Sequence, residues 1–272
     1  MLVFVAFFAA PFITIFATSL TRWNGFTEPR FVGFANYVRL FQSGEFLLSL
    51  RNLLYWYLIA ATFHVALGVV VAFLIYHKYK GSRVIRTVYM IPEVVSMAAW
   101  AMIYRFIFNN QFGILNGFIR LFDSDFTLHW FYESPAAFWA VTMTWVFSSV
   151  YATLITYAEL VSIPSELHDS ARIDGASQWQ TTLRIDLPMI RYSIGTCVIL
   201  STTARLGMFE QIYLTTKGGP GDDTMNIPLI IVKHISALNH GYANSAAATL
   251  VVLGVMTMWL FSRVFKMNRS SE

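Results

Sequence analysis

Hydrophobic residues dominate six long stretches of the chain, and polar or charged residues collect between them. A transmembrane helix needs about 20 consecutive, mostly apolar residues to cross the hydrocarbon core of a bilayer. All six stretches reach that length, so the pattern predicts an all-α, polytopic membrane protein with about six transmembrane helices. The predicted spans are residues 1–20, 53–76, 84–108, 136–158, 191–214 and 246–265.

The first stretch, residues 1–20, could also be a cleaved signal peptide. Such a peptide begins with a basic segment and has a shorter apolar part of about 7–15 residues. No basic residue precedes Arg22 here, and the apolar run is longer. We therefore interpret it as a membrane span. The chain has no long polar insert, no Gly/Ser linker and no low-complexity tract, so we expect a single domain over residues 1–272.

The composition agrees with a membrane protein. Of the 272 residues, 56% are hydrophobic and only 12% are charged, whereas soluble domains carry roughly 25% charged residues. The net charge of +4 does not indicate nucleic-acid binding, because basic residues of membrane proteins collect in cytoplasmic loops. The single cysteine, Cys197, lies in an apolar run, so we expect no disulfide within the chain and no metal site.

The loop lysines and arginines favour cytoplasmic termini. With that orientation, ten of them lie in the short inside segments and eight in the longer outside segments. The inside set is Lys78, Lys80, Arg83, Arg86, Arg172, Arg184, Arg191, Arg263, Lys266 and Arg269. The outside set is Arg22, Arg30, Arg39, Arg51, Arg105, Arg120, Lys217 and Lys233. The charge distribution thus predicts a multi-pass membrane protein with both termini in the cytoplasm.

The cytoplasmic loop between the fourth and fifth spans, residues 162–188, contains helix signals. Pro164 suits a first helical turn, and Glu166 and Asp169 place negative charge near the positive end of the helix. Gly175 is where that helix would stop, because glycine adopts the left-handed cap conformation without strain.

A second short helix is predicted directly after this glycine. Ser177 and Gln180 have the spacing of a capping box, and we expect Pro188 to end the helix before the fifth span. The loop is therefore predicted to hold two short helices joined at Gly175.

The same loop carries a spaced motif. Asp169-Ser170-Ala171 is followed by three residues, then Gly175, then nine residues, then Ile185-Asp186-Leu187-Pro188. This resembles the cytoplasmic signature of importer permeases of the ATP-binding cassette superfamily, which reads Glu-Ala-Ala, three residues, Gly, nine residues, Ile-x-Leu-Pro. Asp169 stands where Glu is usual and Ser170 where Ala is usual. An ordinary amphipathic interfacial helix is the alternative interpretation.

Two further segments resemble the same family. Gly33-Phe-Ala-Asn-Tyr37 is similar to its external segment before the second span, and Arg86-Thr-Val-Tyr-Met-Ile-Pro92 to the start of its third span. Two others resemble segments beside the last external loop in the carbohydrate-uptake branch, which includes maltose-type, binding-protein-dependent permeases. They are Gln211-Ile-Tyr-Leu-Thr-Thr-Lys-Gly-Gly-Pro-Gly221 and Gly241-Tyr-Ala-Asn-Ser-Ala246. Together with the loop motif, they extend the resemblance over most of the chain.

The resemblance implies a function and a set of partners. The chain would be a permease subunit in a bacterial or archaeal cytoplasmic membrane, where it forms half of a translocation path for a sugar. A homologous second permease subunit would lie beside it within the membrane lipid. Two cytoplasmic ATPase subunits would bind ATP, an extracytoplasmic solute-binding protein would deliver the carbohydrate, and this chain would bind no cofactor. The residues expected to couple to the ATPase are Glu166, Asp169, Ser170, Ala171, Asp174, Gly175, Ala176, Ile185, Leu187 and Pro188.

A few side chains inside the spans are candidates for the solute path. Charges at membrane depth are costly, so they should face protein or water. Arg205 and Glu210 would be some 140° apart on one continuous helix, so each is expected to find its partner elsewhere. Structural ion pairs and ordinary aromatic packing are the alternative roles. The candidates are Glu93, Trp145, Arg205, Glu210 and Gln211.

Other functions fit the sequence less well. The glycine-rich run 218–221 is not followed by Lys-Ser/Thr, so we interpret it as a turn rather than a phosphate-binding loop. The spans hold only scattered single charges, which disfavours an enzyme. A secondary transporter should contain paired broken helices in inverted repeats, and the sequence shows no such repeat. A permease of the same superfamily for phosphate, glycerol phosphate or an amino acid remains the alternative.

Overall fold

The computed structural model describes residues 2–265, without the side chains of Leu2, Pro92 and Glu93. The prediction of an all-α protein is confirmed. The helices in the first half of the chain are α1 (Leu2–Phe4), α2 (Ala10–Ser19), α3 (Ala35–Gln42), α4 (Gly44–Ile59), α5 (Val65–Tyr76), α6 (Ser82–Val94), α7 (Met97–Ile107) and α8 (Ile114–Ile119).

The second half continues in the same way. Its helices are α9 (Ala136–Val146), α10 (Val150–Ser162), α11 (Ser165–Ile173), α12 (Gln178–Thr181), α13 (Leu187–Met189), α14 (Arg191–Leu206), α15 (Glu210–Thr215), α16 (Ile227–Ser236) and α17 (His240–Val264). Three π-helical turns join consecutive helices without a break, namely Val5–Ala9, Ala60–His64 and Thr182–Asp186. A short hairpin with two residues in each strand pairs β1 (Thr21–Arg22) antiparallel with β2 (Arg30–Phe31).

Three helical segments of the described chain are long and apolar enough to cross a membrane. They are Gly44–Tyr76, Ala136–Ser162 and His240–Val264, which contain the second, fourth and sixth predicted spans. The first predicted span corresponds to the shorter apolar helix Val5–Ser19. The second span begins at Gly44 rather than at residue 53, because its first turns carry polar residues such as Glu45, Ser49 and Asn52 that interrupt the hydrophobic pattern.

The third, fourth and fifth predicted spans are interrupted, which the hydrophobic pattern did not predict. The breaks fall at residues 95–96, 147–149 and 207–209. Ser148 and Ser149 stand at the second break, and serine side chains compete with the helical backbone for hydrogen bonds. Gly207 stands at the third, where glycine disfavours a continuous helix. Arg205 and Glu210 are therefore on different helices, and the angle of 140° expected between them was wrong.

The described chain divides into two compact units, and the first comprises residues 2–56, 97–144 and 205–256. At its centre the fully buried Trp56 of α4 stacks on Phe138 of α9, with ring centroids 5.3 Å apart. The indole Nε1 of Trp56 donates a hydrogen bond to Thr142 Oγ1 at 3.0 Å. A large ring with its one polar atom satisfied is a strong packing element, and it joins α4 to α9.

Two asparagine amides fasten the connecting segments of this first unit. Asn36 Nδ2 donates to the carbonyl oxygens of Ser19 and Thr21, at 2.7 and 2.9 Å. Asn36 belongs to the motif 33–37 that sequence analysis singled out. In the same way the buried Asn52 Nδ2 donates to the carbonyl oxygens of Asp223 and Met225, at 2.9 and 3.0 Å. The glycine-rich segment is thereby attached to α4.

The second unit comprises residues 57–96, 145–204 and 257–265. Its core forms where α5 packs on α10, and Gly68 permits the close approach. A Cβ at Gly68 would lie 2.7 Å from the Cβ of Ala152, so no larger residue fits. The buried residues of the core include Val65, Ala72, Ala152, Leu160, Ile163, Ile190, Cys197 and Val198.

Candidate coupling loop

The first helix of the loop between α10 and α14, α11, has one exposed face and one inward face. Glu166, Asp169, Ser170 and Ile173 are exposed, whereas Ala171 is buried and His168 is half-buried. The exposed residues recur at the three- and four-residue spacing of a helix face. Glu166 in the first turn and Arg172 in the last turn complement the helix dipole. The helix therefore presents a mixed polar and apolar face to the surroundings.

The end of α11 is a Schellman motif centred on Gly175. Gly175 has φ +75°, its N–H donates to the carbonyl oxygen of Arg172 at 3.0 Å, and the N–H of Ala176 donates to that of Ala171 at 2.9 Å. These two bonds define the motif. The predicted left-handed conformation of this glycine is present, and it reverses the chain directly after the helix.

The predicted capping box starts the second helix. Gln180 N–H donates to Ser177 Oγ at 3.3 Å, and Ser177 N–H donates to Gln180 Oε1 at 2.8 Å. The prediction that Pro188 ends this helix was wrong, because α12, the π-helical turn and α13 form one helical run that ends at Met189. Pro188 is the second residue of α13 and lies two residues after Asp186, where the π-helical turn ends. A proline donates no backbone hydrogen bond, and the helical run ends one residue later.

A polar pair joins α11 to this second helical run. His168 Nε2 lies 2.8 Å from Asp186 Oδ1. Asp186 is fully buried, and its side chain is 1% exposed against 18% for that of His168. Neither residue was singled out from the sequence. The only sequence signal for Asp186 was its place between two apolar residues, Ile185 and Leu187. Apolar neighbours on both sides favour a helix face that is turned toward the core.

The residues at both ends of the loop pack into one apolar cluster of the second unit. Ile163, directly before the loop helix, and Ile190, directly after α13, are buried in that cluster together with Ala72 and Leu160. Leu187 packs against it as well. The loop therefore leaves the core and returns to it over a short distance along the chain, which restricts the positions that α11 can take.

Five of the residues predicted to couple to the ATPase lie around one cleft of about 300 Å³. The cleft is lined by Ala171, Asp174, Gly175, Ala176, Gln180, Thr181, Arg184 and Ile185. Glu166, Asp169 and Ser170 lie instead on the exposed face of α11, and Pro188 is exposed on α13. The structure thus gathers part of the predicted set around the turn and distributes the rest along the two helices.

A wider groove of about 870 Å³ lies on the other side of α11. Its lining includes the basic residues His77, Lys78, His168 and Arg172 and the acidic Asp169. Burial lowers the pKa of the His77 imidazole below its usual value, although the Asp186 carboxylate acts in the opposite direction. His77 is therefore held mainly neutral at pH 7.

Two large apolar side chains beside the turn are exposed. Ile173 is 87% exposed and Trp179 is 69% exposed. Exposed apolar residues are ordinary on lipid-facing helices, but these two belong to a loop with charged neighbours on both sides. Such a patch with a polar rim is typical of a protein contact.

The candidates for the solute path occupy different environments. Glu93 lies in α6, and its side chain is outside the described part of the structure. Trp145 is buried, with its ring 5.6 Å from that of His64. Arg205 Nη1 approaches Met208 Sδ at 3.9 Å. Glu210 is exposed at the start of α15, and the neighbouring Gln211 is buried, with Nε2 3.1 Å from Met97 Sδ.

Comparison with known proteins identifies the family. Residues 64–267 match the family of binding-protein-dependent transport system inner membrane components. The matched region contains the whole coupling loop and covers most of the chain. This chain belongs to that family.

Named relatives of the permease are transport permeases rather than enzymes. It is 33% identical to the diacetylchitobiose uptake system permease protein NgcF of Streptomyces coelicolor, over 98% of this chain and 79% of that protein. It is 27% identical to the trehalose/maltose transport system permease protein MalF of Thermococcus litoralis, over 98% of this chain and 91% of that protein.

A solved structure supports the fold of the permease. A chain of a bacterial ABC transporter involved in the import of the acidic polysaccharide alginate superposes with a TM-score of 0.85. The two are 20% identical, and the match covers 99% of this chain and 92% of the other. The likeness shows that the permease has the fold of an importer subunit.

Proposed function

We propose that the permease imports a carbohydrate as one of two membrane subunits of an ATP-driven transporter. NgcF and MalF, which match nearly the whole chain, are named for the uptake of diacetylchitobiose and of trehalose and maltose. A third relative, the MsmF permease of Streptococcus mutans, is named for a multiple sugar-binding transport system and is 28% identical over 93% of this chain. These names favour a sugar over phosphate, glycerol phosphate or an amino acid.

The observation that carries the coupling role is the capped loop helix with its exposed apolar pair. The Schellman motif at Gly175 fixes the direction of α11, and Ile173 and Trp179 stand exposed beside the turn. In this proposal α11 docks on a cytoplasmic ATPase subunit, and the exposed residues are buried there. Removal of apolar side chains from water favours such a contact.

The remaining parts of the transporter would be separate chains. Two ATPase subunits would bind ATP, a homologous permease would complete the path, and an extracytoplasmic binding protein would deliver the solute. Both termini of this chain would be cytoplasmic, and the whole chain would act as a single permease domain. Closure of the ATPase subunits would move α11 and shift the bundle between outward-facing and inward-facing states.

The test is to purify the tagged permease after co-expression with the genes that neighbour its own. We expect an ATPase subunit, a second permease and a solute-binding protein to co-purify. Calorimetric titration of that binding protein with oligosaccharides should give heats of binding, whereas phosphate, glycerol phosphate and amino acids should give none. Binding of one of those three solutes in place of sugars would contradict the carbohydrate assignment and leave the coupling role unaffected.

A further inference from the structure

We propose that His168 and Asp186 are positioning residues that make α11 and the helical run 178–189 move as one body. This inference rests on the proposed function of the loop as the contact with the ATPase. In this proposal the contact between these two side chains transmits a displacement of α11 to α14.

Apolar packing between the two loop helices is limited. The half-buried Ile185 lines the same cleft as the buried Ala171. Four other large apolar residues of the loop are exposed by 40% or more, namely Leu167, Ile173, Trp179 and Leu183. The hydrogen bond between His168 Nε2 and Asp186 Oδ1, at 2.8 Å, is therefore a specific polar link between the helices.

The burial of Asp186 means that this link favours one relative position of α11 and the helical run 178–189. Asp186 is fully buried, and in the described part of the structure its Oδ2 has no hydrogen-bond partner. His168 thus provides the side-chain partner of a carboxyl group that water does not reach. A buried carboxylate without a partner is strongly disfavoured. A movement that separates α11 from the helical run 178–189 would leave the buried Asp186 carboxylate without its partner, which is energetically unfavourable. We therefore expect the two helices to move together.

The position of Asp186 in the chain directs the movement into the membrane helices. Leu187 follows it directly and packs against the core cluster, and α14 begins at Arg191 after the buried Ile190. A displacement of α11 is therefore transmitted to the start of α14 through the contact of His168 with Asp186. The alternative route along the backbone passes through the turn at Gly175.

The decisive variant is the double substitution His168→Ala with Asp186→Ala, reconstituted into liposomes with the ATPase, the second permease and the binding protein. Removing both partners leaves no unpaired buried charge, so folding should be preserved. The readout is the amount of solute taken up per ATP hydrolysed. Lys233→Ala is the matched control, because it removes an ion pair outside the loop, between Lys233 of α16 and Glu45 of α4, where the nitrogen–oxygen distance is 2.8 Å.

We expect the double variant to keep its ATPase subunit and to hydrolyse ATP, while uptake per ATP falls by about ten-fold. Lys233→Ala should retain the original ratio. His168→Gln, which keeps a donor on the side chain, should restore part of the coupling. An unchanged ratio in the double variant would overturn the inference. Failure of that variant to reach the membrane would overturn it as well, because the pair would then serve folding alone.

The two proposals fail in distinguishable ways. If the unmodified permease neither retains an ATPase subunit nor supports ATP-dependent uptake, the proposed function is wrong. If the unmodified complex couples uptake to hydrolysis and the double variant does so equally well, only the positioning role of His168 and Asp186 is wrong.

Discussion

The N–H of Ala176 donates to the carbonyl oxygen of Ala171 over 2.9 Å, and this bond closes the end of α11, the helix proposed to dock on the ATPase. The bond forms only because Gly175, directly before Ala176, adopts φ +75°. An added Cβ at Gly175 would meet no heavy atom within 4 Å. The cost of a side chain there is therefore conformational rather than steric.

A substitution series at Gly175 tests this turn. A Cβ in the left-handed region costs roughly 1–2 kcal/mol, and a β-branched side chain adds to it, so Gly175→Val should redirect α11 without disturbing the spans. We expect normal membrane abundance with weaker ATPase association or reduced uptake per ATP. Gly175→Ala should be milder, and Gly175→Asn should be the mildest because asparagine tolerates this conformation. Equal behaviour of the Val and Asn variants would show that the turn does not set the direction of α11.

The hydrogen bonds of Asn52 predict a stability effect. Asn52→Ala would leave the carbonyl oxygens of the half-buried Asp223 and the buried Met225 without this donor, at a cost of about 1–3 kcal/mol. The thermal unfolding midpoint of the detergent-solubilised permease should fall by several degrees. Arg51→Ala, one residue away on the exposed face of α4, should leave it unchanged. A midpoint for Asn52→Ala equal to that of the unmodified chain would contradict this account.

The loop shows how far local sequence signals reach. Glycine at a cap and serine with glutamine at a capping box act through the backbone of their own turn, so Gly175 and the Ser177–Gln180 pair could be read from the sequence. The approach of His168 to Asp186 depends on how two helices fold onto one core, and nothing in the spacing of the two residues indicates it. The break in the fifth predicted span, between α14 and Glu210, was missed. A hydropathy average over a span of about 20 residues hardly changes when one of them is a glycine.

The orientation of the loop can be tested with single cysteines. The native Cys197 is buried and can be replaced to give an unreactive background. Cysteine at the exposed Ser177 should be protected from an impermeant thiol reagent in intact cells and should react after the cells are opened. Cysteine at the exposed Asp125, between α8 and α9, should react in intact cells. Labelling at Ser177 in intact cells would place the loop outside and remove the coupling assignment.

Glu210 gives a test of the solute path. It is exposed at the start of α15, so Glu210→Gln should leave membrane abundance and assembly unchanged. If the carboxylate lines the path, uptake should fall while hydrolysis continues. Glu28→Gln, an exposed carboxylate in the loop that joins β1 to β2, is the matched control and should have no effect. Uptake by the Glu210 variant equal to that of the control would remove this residue from the candidates.

The contact between the loop and the ATPase can be measured directly by site-specific photo-crosslinking. A photoreactive amino acid in place of Ile173, which is 87% exposed, is compared with the same amino acid in place of Phe26, which is 83% exposed in the loop that joins β1 to β2. The account predicts a covalent adduct with the ATPase subunit from position 173 and none from position 26. An ATPase adduct from position 26, or its absence from position 173 in a complex that hydrolyses ATP, would contradict the claim that this loop couples the permease to ATP.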